Sequence, residues 1–389
     1  MKPVVRALVV GLVAAAVGCS IYNSSLLTTV ADGGGPHDAG HDAGLPRDAG
    51  HEAHTDAGAD VKTHDAGVDS GITPHASCLD GGDGVGNQCG PNETDDCCAT
   101  LPVPGGTFLR NLSDAGPATV STFSLDQYEV TVGRFRKFVN AGYGTQLKPP
   151  TAGSGANPHI PGSGWSSSWN TLLPASTPVL TSQALTCNQD SSANPTWTDT
   201  VSNNESLPIN CITWIEAFAF CTWDGGRLPT DTEWDYAASG GSQERYYPWS
   251  SPPTSSTITP AYASYYCTGH GGPTQFVDGG MEAGIFYCSV ADITRPGHHS
   301  PLGDGRYGHA DLGGNMDEWV LDWNFANFIL PCDNCAELEA GPPDAGVGRL
   351  IRGGGYYDTP NDLFTSQAFY ADPSMWLDDE DGIRCARDP

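Results

Sequence analysis

Apolar and polar positions fall into readable patterns only from Val103 onward. Gly105-Gly106-Thr107-Phe108-Leu109 and Ala118-Thr119-Val120-Ser121-Thr122-Phe123 predict two short strands, separated by the turn-rich stretch from Asn111 to Pro117. A helix follows, capped by Thr131, with Val132, Phe135, Phe138 and Val139 on one stripe and Gly142 just past its end. Two more helices open on Thr-x-x-Glu, at Thr213/Glu216 and Thr230/Glu233, a pattern in which reciprocal side-chain bonds satisfy the first amides of the helix. In the first of these, Trp214, Phe218 and Cys221 recur at i, i+4 and i+7, and Gly225-Gly226 stop the helix. In the second, Trp234, Ala237 and Ala238 face inward and Gly240-Gly241 end it. Pro229 keeps Leu228 out of the helical region, so Arg227-Leu228-Pro229 is an extended link between the two.

Upstream of Val103 the pattern is different. Lys2 and Arg6 precede an apolar run from Ala7 to Val17 and then Gly18-Cys19-Ser20, which reads as a targeting segment over residues 1–19. The run is shorter than the roughly 20 apolar residues of a spanning helix. Ala16-Val17-Gly18-Cys19 resembles a bacterial lipobox, which makes Cys19 the lipidated first residue of the mature chain; Ala16 stands where leucine is usual, so an ordinary secretory signal is the alternative. Ser20 is similar to the residue after the cysteine in lipoproteins sorted to the outer membrane. A lipid there anchors a folded domain to the membrane of the cell envelope without inserting it. Asp-Ala-Gly then repeats at Asp38, Asp42, Asp48, Asp56 and Asp65, interleaved with His37, His41, His51, His54 and His64. With no apolar period to offset chain entropy, residues 20–77 are expected to form a disordered, solvated spacer, favoured over a histidine metal site by the irregular spacing. Cys78, Cys89, Cys97 and Cys98 make residues 78–102 a small disulfide-rich lead-in, with vicinal Cys97 and Cys98 reaching different partners.

Composition sharpens this picture. With 49 glycines, 30 prolines and 38% hydrophobic residues in 389, a single loop-rich domain is expected rather than two or three. A net charge of −29 argues against a nucleic-acid partner held through phosphates. Setting Cys19 apart from the 13 cysteines leaves an even number behind an export signal, enough for up to six disulfides. Order along the chain suggests the local pairs Cys187–Cys211, Cys267–Cys288 and Cys332–Cys335; a metal site from Cys97, Cys98, Cys332 and Cys335, or a redox role for the last two, is the alternative to simple loop staples.

A series of longer blocks carries a family resemblance. Asn210-Cys211-Ile212-Thr213-Trp214, Ala219-Phe220-Cys221-Thr222-Trp223 and Gly226-Arg227-Leu228-Pro229-Thr230-Asp231-Thr232-Glu233-Trp234 stand in order; Gly314-Asn315-Met316-Asp317-Glu318-Trp319, Arg352-Gly353-Gly354-Gly355 and Gly382-Ile383-Arg384-Cys385-Ala386 follow them. Together these blocks resemble the formylglycine-generating enzyme, or sulfatase-modifying factor, domain over residues 103–389. The resemblance implies an α+β, C-type-lectin-like fold with little regular secondary structure. It also implies a disulfide between Cys221 and Cys385, which a chain-entropy account values at up to about 4–5 kcal/mol. A second family disulfide has Ala238 and Ala368 at its two positions.

The same resemblance implies chemistry, residue by residue. Active members bind Cu(I) through two cysteines after an Arg/Lys-Gly-Gly-Ser strand and oxidise a substrate cysteine with O₂. Here Asp358 and Leu363 stand at the cysteine positions and Gly355 at the serine, so a soft-thiolate copper site is not expected. A family calcium site maps to Asp311, Gly313, Met316 and Glu318, with Glu318 as a backbone cap the alternative. The other calcium loop is rewritten around Ser264, with Cys267 and Cys288 in an insertion. His298, His299 and His309 read as ordinary loop histidines. Arg384, Trp319, Trp323 and Arg352 are family signature residues with a structural role, while Tyr356, Tyr357, Asp358, Phe364, Tyr370 and Trp376 form an aromatic and acidic group; with Arg384 these suggest a cleft for a peptide, protein or carbohydrate. Two functions follow: a membrane-tethered binding or scaffold domain without the oxidase centre, or an exported protein-modifying oxidase that uses Asp358 and loop histidines.

Overall fold

The computed structural model describes residues 75–187, 193–268, 288–324, 329–340, 348–373 and 378–389. Expectations for the targeting segment, Cys19, most of the spacer and Trp376 lie outside these residues. Twelve short strands and a few helices carry the chain between long ordered loops. Strand β1 (Asn87–Cys89) pairs with β2 (Asp95–Asp96). β3 (Thr100–Val103), β4 (Gly106–Leu109), β5 (Pro117–Val120) and β6 (Phe123–Asp126) follow. Next come α1 (Val132–Asn140), a helical turn α2 (Thr177–Val179), α3 (Trp214–Trp223) and α4 (Asp231–Ala238). The C-terminal third supplies β7 (Asp317–Trp323), β8 (Cys332–Asp333), β9 (Arg349–Arg352), β10 (Phe369–Ala371), β11 (Asp381–Gly382) and β12 (Ala386–Arg387). Besides the β1-β2 pair, the described residues form three small sheets, ordered β10-β9-β7-β11, β12-β6-β3 and β4-β5-β8.

The second predicted strand divides. Residues 118–120 stay in β5 beside β4 and β8, whereas Phe123 begins β6, which pairs with β3 and β12 in a different sheet. The lead-in is not a separate piece either, because its last residues form β3 in register with β6. Nor does the spacer extend to residue 77: His75 and Ser77 both contact Asp224, the residue that ends α3. Arg134 of α1 and Arg387 of β12 ion-pair with the same carboxylate at 2.7 and 2.8 Å. Burial pushes the Asp224 pKa up, but these cations outweigh it and hold it well below the usual carboxylate range. Four distant segments are thus tied at one charge.

Thr131, Thr213 and Thr230 all cap their helices, and both Thr-x-x-Glu boxes close reciprocally. However, α3 is buried from Trp214 to Cys221 on every side, and all eight residues of α4 are buried. The one-faced pattern read from sequence understates their position: they form the centre of the core rather than its cover. Trp214 of α3 donates to the Val320 carbonyl at 2.8 Å and Trp319 of β7 donates to the Ile212 carbonyl at 2.9 Å, so each indole fills core volume and satisfies its polar atom. Six disulfides close the loops: Cys78–Cys98, Cys89–Cys97, Cys187–Cys211, Cys221–Cys385, Cys267–Cys288 and Cys332–Cys335. Cys221–Cys385 joins α3 to the C-terminal segment across 164 positions.

Burial pushes the Glu216 carboxyl up to about 7, against the hydrogen bonds that it accepts from Thr213. A folded pKa above the unfolded one means that this group favours folding at low pH, and that its contribution is lost as pH rises from about 4.5 through about 7. Glu216→Gln keeps the cap and removes the charge. Denaturant melts are expected to show wild type losing up to roughly 3 kcal/mol relative to this variant between pH 4 and pH 8.

Candidate functional site

The turn after β9 sets the local geometry. Gly353 and Gly354 adopt φ of 108° and 73°, a region closed to most side chains, and this folds the following backbone toward the start of β7. Three amides of the turn then hold three carboxylates from separate segments. Gly354 N–H donates to Asp317 Oδ1 (2.9 Å), Gly355 N–H to Asp358 Oδ2 (3.0 Å) and Tyr357 N–H to Glu380 Oε1 (2.7 Å). One oxygen from each of these carboxylates lies within 4.8 Å of the other two. Asp381 adds a fourth charge, since it is the register partner of Asp317 in the parallel pair β11·β7. Gly355 is a steric requirement of the arrangement: a Cβ there would collide with the Glu380 side chain.

Electrostatics follow from that crowding. Burial and then the Asp358 charge push Asp317 well above the usual range, with Glu380, Asp381 and Asp378 adding to the effect. Burial and neighbouring carboxylates likewise push Glu380 up to about 9, and burial is the main cause that brings Asp358 to about 6. These are groups that share too much negative charge for water to screen.

Asp358 therefore occupies the centre of the site. Leu363 does not face it as a ligand; its buried side chain packs with Tyr247, Trp249, Ala263 and Tyr265 as the apolar floor beneath Gly354. The cleft expected from sequence needs two corrections. Tyr356 is buried, donating to Asp379 (2.7 Å) and accepting from Asn194 (3.0 Å). Arg384 is buried as well, paired with Glu318 at 2.8 Å and donating to the carbonyls of Asp126, Gln127 and Ala310. Both are needed inside because each satisfies other buried polar groups. Tyr357 and Tyr370 are the exposed rings, at 51% and 52%. A polar cleft of about 380 Å³ is lined by Asn203, Asn204, Val290, Ile293, Arg295 and His298. Its Ile293 packs with Met316 and Tyr356, residues next in sequence to Asp317 and Tyr357.

The calcium set divides between two partners. Glu318 accepts from Arg384 and, at 2.7 Å, from the Trp234 indole, while Asp311 accepts from the Gly297 amide. Gly313 and Met316 are buried on the intervening turn. Burial raises Asp311 to about 6, and burial with Asp311 and Glu318 raises Glu129 well above its usual range. Three carboxylates around one guanidinium leave negative charge over, but Asp311, Glu129 and Glu318 form no ligand cluster among the described residues, and Glu318 is held by Arg384 and Trp234. Copper does not fit. Every cysteine among the described residues is in a disulfide, and the Asp358 centre offers oxygen alone. The centre imagined from Asp358 and loop histidines is not assembled, since among the described residues His298, His299 and His309 join no ligand cluster. Ser264 of the rewritten loop donates to the Asp292 carbonyl at 2.6 Å.

Sequence reasoning missed Asp317, Glu380 and Asp381. The available signal was the unbroken acidic run Asp378-Asp379-Glu380-Asp381 and the Asp inside Gly-Asn-Met-Asp-Glu-Trp.

Residues 86–389 match the sulfatase-modifying factor enzyme 1-like domain. The chain belongs to that family. Its α+β, C-type-lectin-like architecture is the family's. Similar proteins include the formylglycine-generating enzyme of Thermomonospora curvata, 25% identical over 317 residues that cover 74% of this chain and 93% of that protein. That of Bos taurus is 26% identical over 283 residues, covering 66% and 65%. The inactive Cα-formylglycine-generating enzyme 2 of Mus musculus is 30% identical over 171 residues, covering 39% and 50%. PvdO from Pseudomonas aeruginosa is a similar solved structure, with a TM-score of 0.45 and 18% identity, covering 75% of this chain and 94% of that one.

A serine in place of Gly355 tests the packing. Gly355→Ser is expected to destabilise the fold by about 1–3 kcal/mol through its clash with Glu380. Adding Glu380→Gly, which removes the Cβ as well as the carboxylate that a side chain at 355 would meet, should recover most of that loss, with a coupling of about 1 kcal/mol or more in a denaturation double-mutant cycle.

Proposed function

We propose that this chain is an exported binding domain, lipid-anchored through Cys19 in the outer membrane of a bacterial envelope, that keeps the family scaffold without the copper-dependent oxidation of cysteine. The observation that carries the reading is the state of the sulfur: twelve cysteines are consumed in disulfides, and Asp358, Leu363 and Gly355 stand at the reactive positions. Cu(I) is held by soft thiolates, and no combination of carboxylate and leucine replaces them. The mouse relative named as inactive supports the view that membership does not bring the reaction with it. Six disulfides suit an oxidising compartment, in accord with the targeting segment at the N-terminus.

In this reading the ligand is a peptide, a protein or a carbohydrate that meets the exposed rings of Tyr357 and Tyr370. Calcium held by Asp311, Gly313, Met316 and Glu318 stiffens the turn that leads into β7. A phosphate-bearing nucleic acid would meet a chain of charge −29 and is repelled.

The purified chain, supplied with Cu(I), a thiol reductant and O₂, is expected to leave a cysteine-containing sulfatase-type peptide unchanged by mass spectrometry. An aldehyde-bearing peptide formed by wild type and absent with Asp358→Ala would reverse the conclusion.

A further inference from the structure

Buried carboxylates that cluster usually have an internal cation to answer them. Two groups among the described residues bring ligand atoms within reach of one shared ion, and they differ in this respect. His75, Asp126 and Asp224 surround the guanidiniums of Arg134 and Arg387, so their charge is already met by protein. Asp317, Asp358 and Glu380 are surrounded by further acids instead: Asp378, Asp379 and Asp381 follow or precede them in the same segment, and the strongest charges acting on Asp317 are all carboxylates.

We propose that Asp317, Asp358 and Glu380 bind one exchangeable Ca²⁺, with Asp381 as an inner partner. Two oxygens that each lie about 2.4 Å from a shared calcium are at most about 4.8 Å apart. The three carboxylates satisfy that limit, and each is fixed by a single turn amide that leaves its other oxygen for the centre. The independent sign of a ligand is Asp381. It is only 3% exposed, its Oδ1 has no hydrogen-bond partner among the described residues, and its pairing with Asp317 in the parallel ladder puts both side chains on one face. A buried carboxylate oxygen aimed at other carboxylates needs a cation or a proton.

Asp358 and Glu380 are half-buried, so an ion has an aqueous approach and room for water in its remaining coordination positions. Hard oxygen donors of this kind suit Ca²⁺, and a partly open set is consistent with a Kd of roughly 10⁻⁴–10⁻³ M, the range of extracellular calcium modules. The ion is distinct from one held by Glu318. Asp317 and Glu318 are neighbours on β7 and their side chains leave opposite faces of the strand, Glu318 toward Arg384 and Asp317 toward Gly354. Gly355 completes the site by giving Glu380 the space that a serine would take. The inference goes beyond the binding reading and does not require it.

The test is a calcium count on the whole folded chain after chelation and re-equilibration in about 5 mM Ca²⁺, well above the expected Kd. Wild type is expected to hold one more Ca²⁺ per chain than Asp358→Asn/Glu380→Gln, and Asp311→Asn is expected to keep that difference because it alters only the other turn. Equal stoichiometry in wild type and a folded double variant, judged by near-ultraviolet circular dichroism, overturns the proposal whether or not the Glu318 turn binds an ion. If the double variant does not fold, Tb³⁺ luminescence excited through tyrosine decides the matter with Asp358→Asn alone. A tenfold or larger weakening of Ca²⁺-competable emission supports the site, and unchanged emission and competition refute it.

Discussion

Negative charge without a fixed counter-charge, gathered on one glycine turn, is the constraint around which the functional half of this molecule is arranged. Gly353 and Gly354 turn the backbone so that its amides point at β7, and Gly355 leaves space that Glu380 enters from the C-terminal segment. Asp317 and Asp358 complete the group from two other parts of the chain. Elsewhere the fold answers buried charge with arginine: Arg384 serves Glu318, Arg352 serves Asp231, and Arg134 and Arg387 share Asp224. At the turn, by contrast, the charges acting most strongly on Asp317 are all carboxylates. Removing water from such a group is costly unless protons or a metal ion compensate.

This contrast separates scaffold from chemistry. The parts of the family pattern that persist, including Trp234, Trp319, Arg352, Glu318 and Arg384, are packed in the core and joined by hydrogen bonds across segments. They hold β7 against α3, α4 and the C-terminal segment, a task independent of what reacts nearby. In the function proposed above, Gly355, Asp358 and Leu363 stand where the reactive residues would be, and oxygen in place of sulfur there alters which metals can bind while leaving the core undisturbed.

Much of the scaffold was legible because its signals are local. Thr-x-x-Glu at residues 213 and 230 specifies two helix starts with only four residues each, and the disulfide partners within a few tens of residues follow chain order. The break between β5 and β6 was not legible, since Ser121-Thr122 contains no glycine or proline to mark it. Tyr356 looks like a recognition residue in sequence, and Arg384 reads as structural with a cleft as its other role, but the burial of both depends on partners such as Asp379 and Glu318 that only the fold brings near. The carboxylate group is the clearest case. Asp317, Asp358 and Glu380 come from three segments, and nothing in any one of them announces the other two. His75 carried no signal at all until Asp224 reached it.

The proposed function stands on oxygen rather than sulfur being the donor at the glycine turn. Titrating Cu(I) into the folded chain in competition with a chromogenic Cu(I) chelator tests this most directly. The expected result is that the chelator retains all of the copper, with Asp358→Cys variants alone showing any increase. One Cu(I) per wild-type chain withdrawn from the chelator, with copper–sulfur scattering in X-ray absorption, would contradict it.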